Sequence, residues 1–145
     1  MTIKEWEKHT LLADIAMQQA DHLHSILHYQ QALTLSDRLG EAEDIELEDR
    51  LMISVISCHN MAGFWRTIGD NQYELKYLEL ASERILTLIH QCGNPSCEAF
   101  VDSLGCCKKA LIEFMKRHPN PQLAKLVKDI DSASSCNLIA KFRLN

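Results

Sequence analysis

Apolar side chains recur along most of the chain at three- and four-residue steps, the spacing that collects them on one side of an α-helix. Breaks at Gly, Pro, Asn and Asp divide these stretches into six predicted helices. The first begins at Thr2, where Thr2 and Glu5 have the spacing of a capping box, and its stripe of Ile3, Trp6, Leu12 and Ala16 leads to about Ala20. Asp21 is placed to cap the second. Its apolar positions Leu23, Ile26, Leu27, Leu33 and Leu35 continue to Leu39, and Gly40 supplies a left-handed stop. The third helix is expected from about Ile45 to Ile68. Leu51, Met52, Ile53, Val55, Ile56, Met61, Phe64, Trp65 and Ile68 make it apolar on nearly every side, as a centrally placed helix would be. Gly69 ends it and Asp70 caps the fourth, with Tyr73, Tyr77, Leu78, Ala81, Ile85 and Leu88 on its buried side, until Gly93-Asn94-Pro95 interrupts the chain. Phe100, Leu104, Cys107, Leu111 and Phe114 define the fifth at steps of four, three, four and three. His118-Pro119-Asn120-Pro121 stops it. Asn120 then caps a sixth with Pro121 in the first position, where a missing amide costs little, and Leu123, Leu126, Val127 and Ile130 form its face. Ser132–Ser135 reads as a breaker, followed by residues 136–145 as a short docking helix or a loose tail.

Composition fits one helical domain. The 145 residues are 46% hydrophobic and 24% charged, with only five Gly and three Pro. The N-terminal residues have no uninterrupted apolar core and no small-residue cleavage site, which argues against a secretory signal. No apolar run approaches the ~18 residues of a membrane span. Six cysteines (58, 92, 97, 106, 107 and 136) do not suit a disulfide framework in a chain with this much apolar material, so reduced thiols in a cytoplasmic protein are expected. Charge is uneven: residues 1–49 carry 3 bases and 11 acids, whereas residues 101–145 carry 8 and 4. Six of the acids (Glu41, Glu43, Asp44, Glu46, Glu48 and Asp49) lie in residues 41–49, across the turn after the second helix and the first turn of the third. They read as a solvated turn complementing a helix dipole, with an acidic docking patch as the other reading.

Two stretches forty-nine residues apart carry one spaced pattern: Leu12-Ala13, Ala16, Ala20-Asp21, Ser25, Tyr29, Ala32, and Met61-Ala62, Trp65, Gly69-Asp70, Glu74, Leu78, Ala81. This spacing resembles the tetratricopeptide repeat, a helix pair in which small residues let backbones approach and bulky ones fill the space between neighbours. The offset exceeds the ~34 residues of that repeat because the third helix has an acidic N-terminal extension. Glu74 stands where a small residue is usual. Leu104-Gly105 opens a third copy whose second helix departs from the pattern, since Arg117 falls at a small position. The whole chain also resembles a small tetratricopeptide-like family of marine γ-proteobacteria (Vibrio-type), a likeness that implies no activity. The resemblance implies an all-α, right-handed superhelical stack of about three antiparallel helix pairs (residues 3–39, 45–92 and 96–134) in a single domain spanning 1–145.

Candidate chemistry is sparse. Asp21, His24 and His28 share a helical face and could offer a carboxylate and two imidazoles to a metal, or simply form an exposed face with Asp21 occupied as a cap. Cys92, Cys97, Cys106 and Cys107 could form a zinc cluster. However, Cys106 and Cys107 point about 100° apart on a helix, and cysteine is an ordinary small core residue. No phosphate loop, nucleophilic triad or HExxH motif is present, so no catalytic residue and no cofactor are assigned and the chain is expected not to be an enzyme.

In tetratricopeptide-like proteins a partner peptide lies in the groove lined by the first helix of each pair. By position, the resemblance places Glu7, Thr10, Asp14, Met17 and Gln18 there from the first helix. The third helix gives Ile56, His59, Gly63, Arg66 and Thr67, and the fifth gives Asp102 and Lys109. The basic clamp that some members use for a C-terminal carboxylate is not reproduced. The expectation is a cytoplasmic protein-interaction module whose apolar end faces could be covered by homodimerisation. A small-ligand or metal-binding helical regulator is one alternative. A nucleic-acid-associated factor using Lys108, Lys109, Lys116, Arg117, Lys125 and Lys128 is another.

Overall fold

The computed structural model describes the backbone of residues 2–39, 45–91 and 98–143 and the side chains of 3–39, 45–88 and 98–132. These residues form six helices, α1 (Thr2–Gln18), α2 (His22–Arg38), α3 (Leu47–Ile68), α4 (Asn71–Gln91), α5 (Glu98–Arg117) and α6 (Pro121–Arg143), and include no strand. They divide into two compact units, Met1–Tyr77 and Leu78–Asn145, with the boundary inside α4.

In the first unit α1 packs on α2 and α2 on α3. The close approach rests on small side chains: Ala13, Ala16, Ser25 and Ala32 are all buried between these helices. Trp6, Ala32, Leu39 and Ile53 form one apolar cluster that draws on all three helices, with Ile3, Leu35 and Ile45 against it. Along α3, Leu51, Val55, Cys58, Met61, Ala62 and Phe64 are buried. The helix nevertheless keeps an open side, since Met52, Ile56 and Ile68 are exposed, so the expectation of burial on nearly every side is too strong. Leu23 and Leu27 of α2 are likewise exposed rather than in the core, because they lie one turn apart on the face opposite Ser25, Tyr29 and Ala32.

Two local signals act as the sequence suggests. Asp21 caps α2 by accepting the His24 amide at 3.2 Å, and Asp70 caps α4 by accepting the Tyr73 amide at 3.1 Å. Gly69 takes the left-handed conformation at the end of α3 with φ +92°. Tyr73 itself is 43% exposed, not part of the buried side, and its ring stacks on Trp65 at 4.7 Å. Leu39 closes α2 by donating its amide to the Leu35 carbonyl. The side chain of Thr2 with its capping box, Gly40, the acids 41–44, and the Gly93-Asn94-Pro95 break with Cys92 and Cys97 lie outside the described residues.

In the second unit α5 packs on α6. The whole predicted stripe of α5, Phe100, Leu104, Cys107, Leu111 and Phe114, is buried, as are Leu123 and Ile130 of α6 and Leu78, Ala81 and Ile85 of α4. Asn120 caps α6 through the Gln122 amide at 2.9 Å, with Pro121 as first residue. The expected break at Ser132–Ser135 does not occur: α6 continues to Arg143. That stretch contains Ser and Ala but neither Gly nor Pro, so nothing in it removes an amide or demands a positive φ. Residues 136–143 extend the same helix.

Candidate partner-binding surface

Glu7, Thr10, Asp14, Met17 and Gln18 step along α1 by three, four, three and one residues, which puts them on one flank of the helix. Ile56, His59, Gly63, Arg66 and Thr67 repeat those steps on α3, each forty-nine residues further on. The flank of α3 is the more exposed of the two. Glu7, Gln18, Ile56, Gly63, Arg66 and Thr67 are exposed, while Thr10, Asp14, Met17 and His59 are half-buried. The two helices are tied together in the core of the unit. The Trp6 indole N–H donates to Ser57 Oγ at 2.7 Å, and the Ser57 hydroxyl in turn donates to the Ile53 carbonyl at 2.8 Å. Because Trp6 precedes Glu7 and Ser57 follows Ile56, this bond sets the start of one flank level with the start of the other.

The polar groups on these flanks differ in how they are satisfied. The Tyr29 hydroxyl donates to Asp14 Oδ1 at 2.5 Å, crossing from α2 to α1. Burial and this carboxylate push the Tyr29 pKa far upward, so it remains a donor at any physiological pH. Thr67 Oγ1 turns back to the Gly63 carbonyl at 3.0 Å. In contrast, Thr10 Oγ1 and His59 Nε2 are buried atoms with no hydrogen-bond partner among the described residues. They occupy equivalent places in the two copies. Burial also lowers the His59 pKa, which keeps the imidazole neutral near pH 7. Beside His59, Gly63 leaves open space: a Cβ built there would meet nothing within 4 Å. Asp102 and Lys109 are exposed on one face of α5 and belong to the second unit.

The other candidates dissolve into local pairs. Asp21 and His24 bond at 2.7 Å on an exposed surface, with the His24 amide holding the Asp21 pKa below its ordinary value. His28 turns instead to α1, where its Nδ1 meets His9 Nδ1 at 3.0 Å. Asp21, His24 and His28 are therefore not gathered, and no group of three or more His, Cys, Asp or Glu among the described residues is placed to hold a metal. Cys106 is exposed and Cys107 buried. Of the basic residues, Lys108 pairs with Asp131 at 2.6 Å, Lys116 with Glu113 at 3.5 Å, and Arg117 lies over the Phe114 ring. His9 was not singled out by sequence, because its partner sits nineteen residues away on the next helix and no motif joins them. The stack of Trp65 on Tyr73, with Lys76 over the Tyr73 and Tyr77 rings, escaped for the same reason.

No helix among the described residues is long and apolar enough to cross a membrane. No solved structure matches the chain. Over 143 residues, 99% of each chain, it is 66% identical to an uncharacterised protein of Vibrio parahaemolyticus. The model of one family matches residues 4–145, nearly the whole length. The chain belongs to that family, described as a protein of unknown function (DUF2753).

Proposed function

We propose that this protein is a non-enzymatic protein-interaction module with tetratricopeptide-like helix pairs, and that a peptide segment of its partner lies along the paired flanks of α1 and α3. The observation that carries this reading is the recurrence of an unsatisfied buried polar atom, Thr10 Oγ1 and His59 Nε2, at one position of both copies. A buried polar group without a partner costs about 1–3 kcal/mol. A ligand that supplies a donor or acceptor to it recovers that cost on binding. Met17 and Ile56 add apolar contact on the same flanks, and the open space at Gly63 leaves room for an incoming backbone. Buried Ala13, Ala32, Ala62 and Ala81, at the small positions of the repeat, support the helix-pair architecture.

The test covers this position. Gly63→Trp starts from a site where a Cβ meets nothing within 4 Å and puts a large ring on the flank, and Arg66→Glu reverses an exposed charge beside it. Affinity capture from native lysate is expected to recover a partner with the wild type and to lose it with both variants, each shown to be folded by circular dichroism. Recovery of the same proteins with all three chains would remove the proposal.

A further inference from the structure

His9 and His28 present their Nδ1 atoms to each other at 3.0 Å, with ring centres 5.2 Å apart and ring planes inclined by 27°. The separation of ring centres is close to the nitrogen–nitrogen distance plus the radii of both rings. Each Nδ1 therefore lies near the line of centres, and its in-plane lone pair or N–H points at the other ring. The contact is an edge-to-edge N–H···N hydrogen bond rather than a face-to-face stack. A divalent metal does not suit it, since metal–nitrogen bonds of about 2.0–2.1 Å require the lone pairs to converge at an angle.

We propose that His9 and His28 form a proton-sharing clasp between α1 and α2 that tolerates one added proton and opens on the second. In the neutral pair one ring carries its proton on Nδ1 and donates, while the other carries its proton on Nε2 and accepts through a bare Nδ1. A first added proton binds the free Nε2 of the donor ring. The hydrogen bond survives and becomes charge-assisted. A second proton has only the accepting Nδ1 left to bind. It breaks the bond and leaves two imidazolium rings facing each other, and loss of that proton restores the clasp. The steps belong to the pair rather than to either residue.

The surroundings favour this order. Burial, the charge of His28 and Lys8 one residue away lower the His9 pKa, against a smaller opposing effect of Glu5. No group of α3 is among those acting on His9. On α2 the titratable groups closest in sequence to His28 are both engaged, Tyr29 with Asp14 and His24, one turn earlier, with Asp21. A histidine whose folded pKa is lowered binds fewer protons than in the unfolded chain. Stability is therefore complete above the ordinary value of 6.5 and falls as pH drops through the lower folded value. Opening removes one side-chain bond between α1 and α2, leaves that of Asp14 with Tyr29, and loosens the contact between the helices independently of any partner-binding role.

Nitrogen-15 NMR of the histidine rings and amide exchange across α1, measured between pH 8 and pH 5, test the clasp. At neutral pH the wild type should show one ring protonated on Nδ1 and the other on Nε2, with two separated titration steps. Exchange protection of α1 relative to α3 should fall about tenfold or more across the lower step. In His28→Asn that loss should vanish, because an amide can either donate to or accept from His9 Nδ1. Two histidines titrating independently in the wild type would overturn the proposal, as would an unchanged pH profile of α1 protection in His28→Asn.

Discussion

The turn between α1 and α2 and the turn between α3 and α4 are built to one plan from different residues. In the first, the Asp21 amide donates to the Ala16 carbonyl at 2.8 Å and the Ala20 amide to the Met17 carbonyl at 3.1 Å. In the second, the Asp70 amide donates to the Trp65 carbonyl at 2.9 Å and the Gly69 amide to the Arg66 carbonyl at 3.1 Å. Both are Schellman closures, and in both the following Asp caps the next helix. The left-handed residue, however, is Ala20 in one (φ +56°) and Gly69 in the other (φ +92°). The repeat is thus kept at the level of backbone hydrogen bonds even where a side chain is locally unfavourable.

The core behind these turns is where equivalence should be costliest to disturb. Ala13 and Ala62 stand forty-nine residues apart, and both are buried, at 0% and 3% exposure. Ala13→Leu and Ala62→Leu should each destabilise the protein by about 1–3 kcal/mol, because neither helix can withdraw to admit three more carbons. Urea denaturation measures both. If only one position proves intolerant, the two copies do not share a packing plan and the comparison fails at its base.

The side-chain bond that separates the copies comes next. Asp14 and Tyr29 join α1 to α2, whereas the positions forty-nine residues on hold Gly63 and Leu78, which have no polar group. Tyr29→Phe should cost about 1.5 kcal/mol, within the range for hydrogen bonds to charged groups. Leu78→Tyr should gain nothing, since the position matching Asp14 is a glycine and has no carboxylate. Thermal unfolding of the two variants sharpens the contrast, and a gain in the second would contradict it.

Much of this was legible beforehand, for identifiable reasons. The α5 stripe is fully buried because every member sits at a helical step with no competing apolar face. Gly69-Asp70 was readable because only glycine takes that φ freely and Asp is a strong cap. Ala20 gave no such signal, and its turn was placed by Asp21 as the cap of the next helix. The misses share a cause. Leu23 and Leu27 look like core residues by hydropathy, but burial is set by which face meets a neighbour, and α2 turns them outward. The His9–His28 bond joins two helices through a register that spacing within one helix does not encode. The groove lining was carried by the repeat, so its residues are placed together where the copies match and say nothing of their chemistry.

The caps should have smaller and more equal effects. Asp21→Ala and Asp70→Ala each remove one acceptor from a helix N-terminus and should cost about 1 kcal/mol. Asp21 also bonds the exposed His24 ring, but a solvent-exposed pair adds little. Closely matched losses in urea midpoint would support equivalence of the turns, whereas a neutral Asp70→Ala would show that α4 starts independently of its cap.

The left-handed positions give the finest discrimination, because the same exchange should act with opposite signs. Gly69→Ala forces a Cβ into φ +92° and should destabilise by about 1 kcal/mol, although nothing nearby obstructs the methyl group. Ala20→Gly relieves that strain at φ +56° but gives the unfolded chain more freedom, so its net gain should be about 0.5 kcal/mol. The double exchange carries the strained residue from one turn to the other. If the turns are equivalent, its stability should fall short of wild type only by the difference between the two φ values. A loss well beyond the sum of the single effects would mean that the two turns are coupled, whereas an Ala20→Gly that costs stability would mean that Ala20 is held in place by something its counterpart lacks, and the Asp14–Tyr29 and His9–His28 bonds of α1 and α2 are the groups that could hold it.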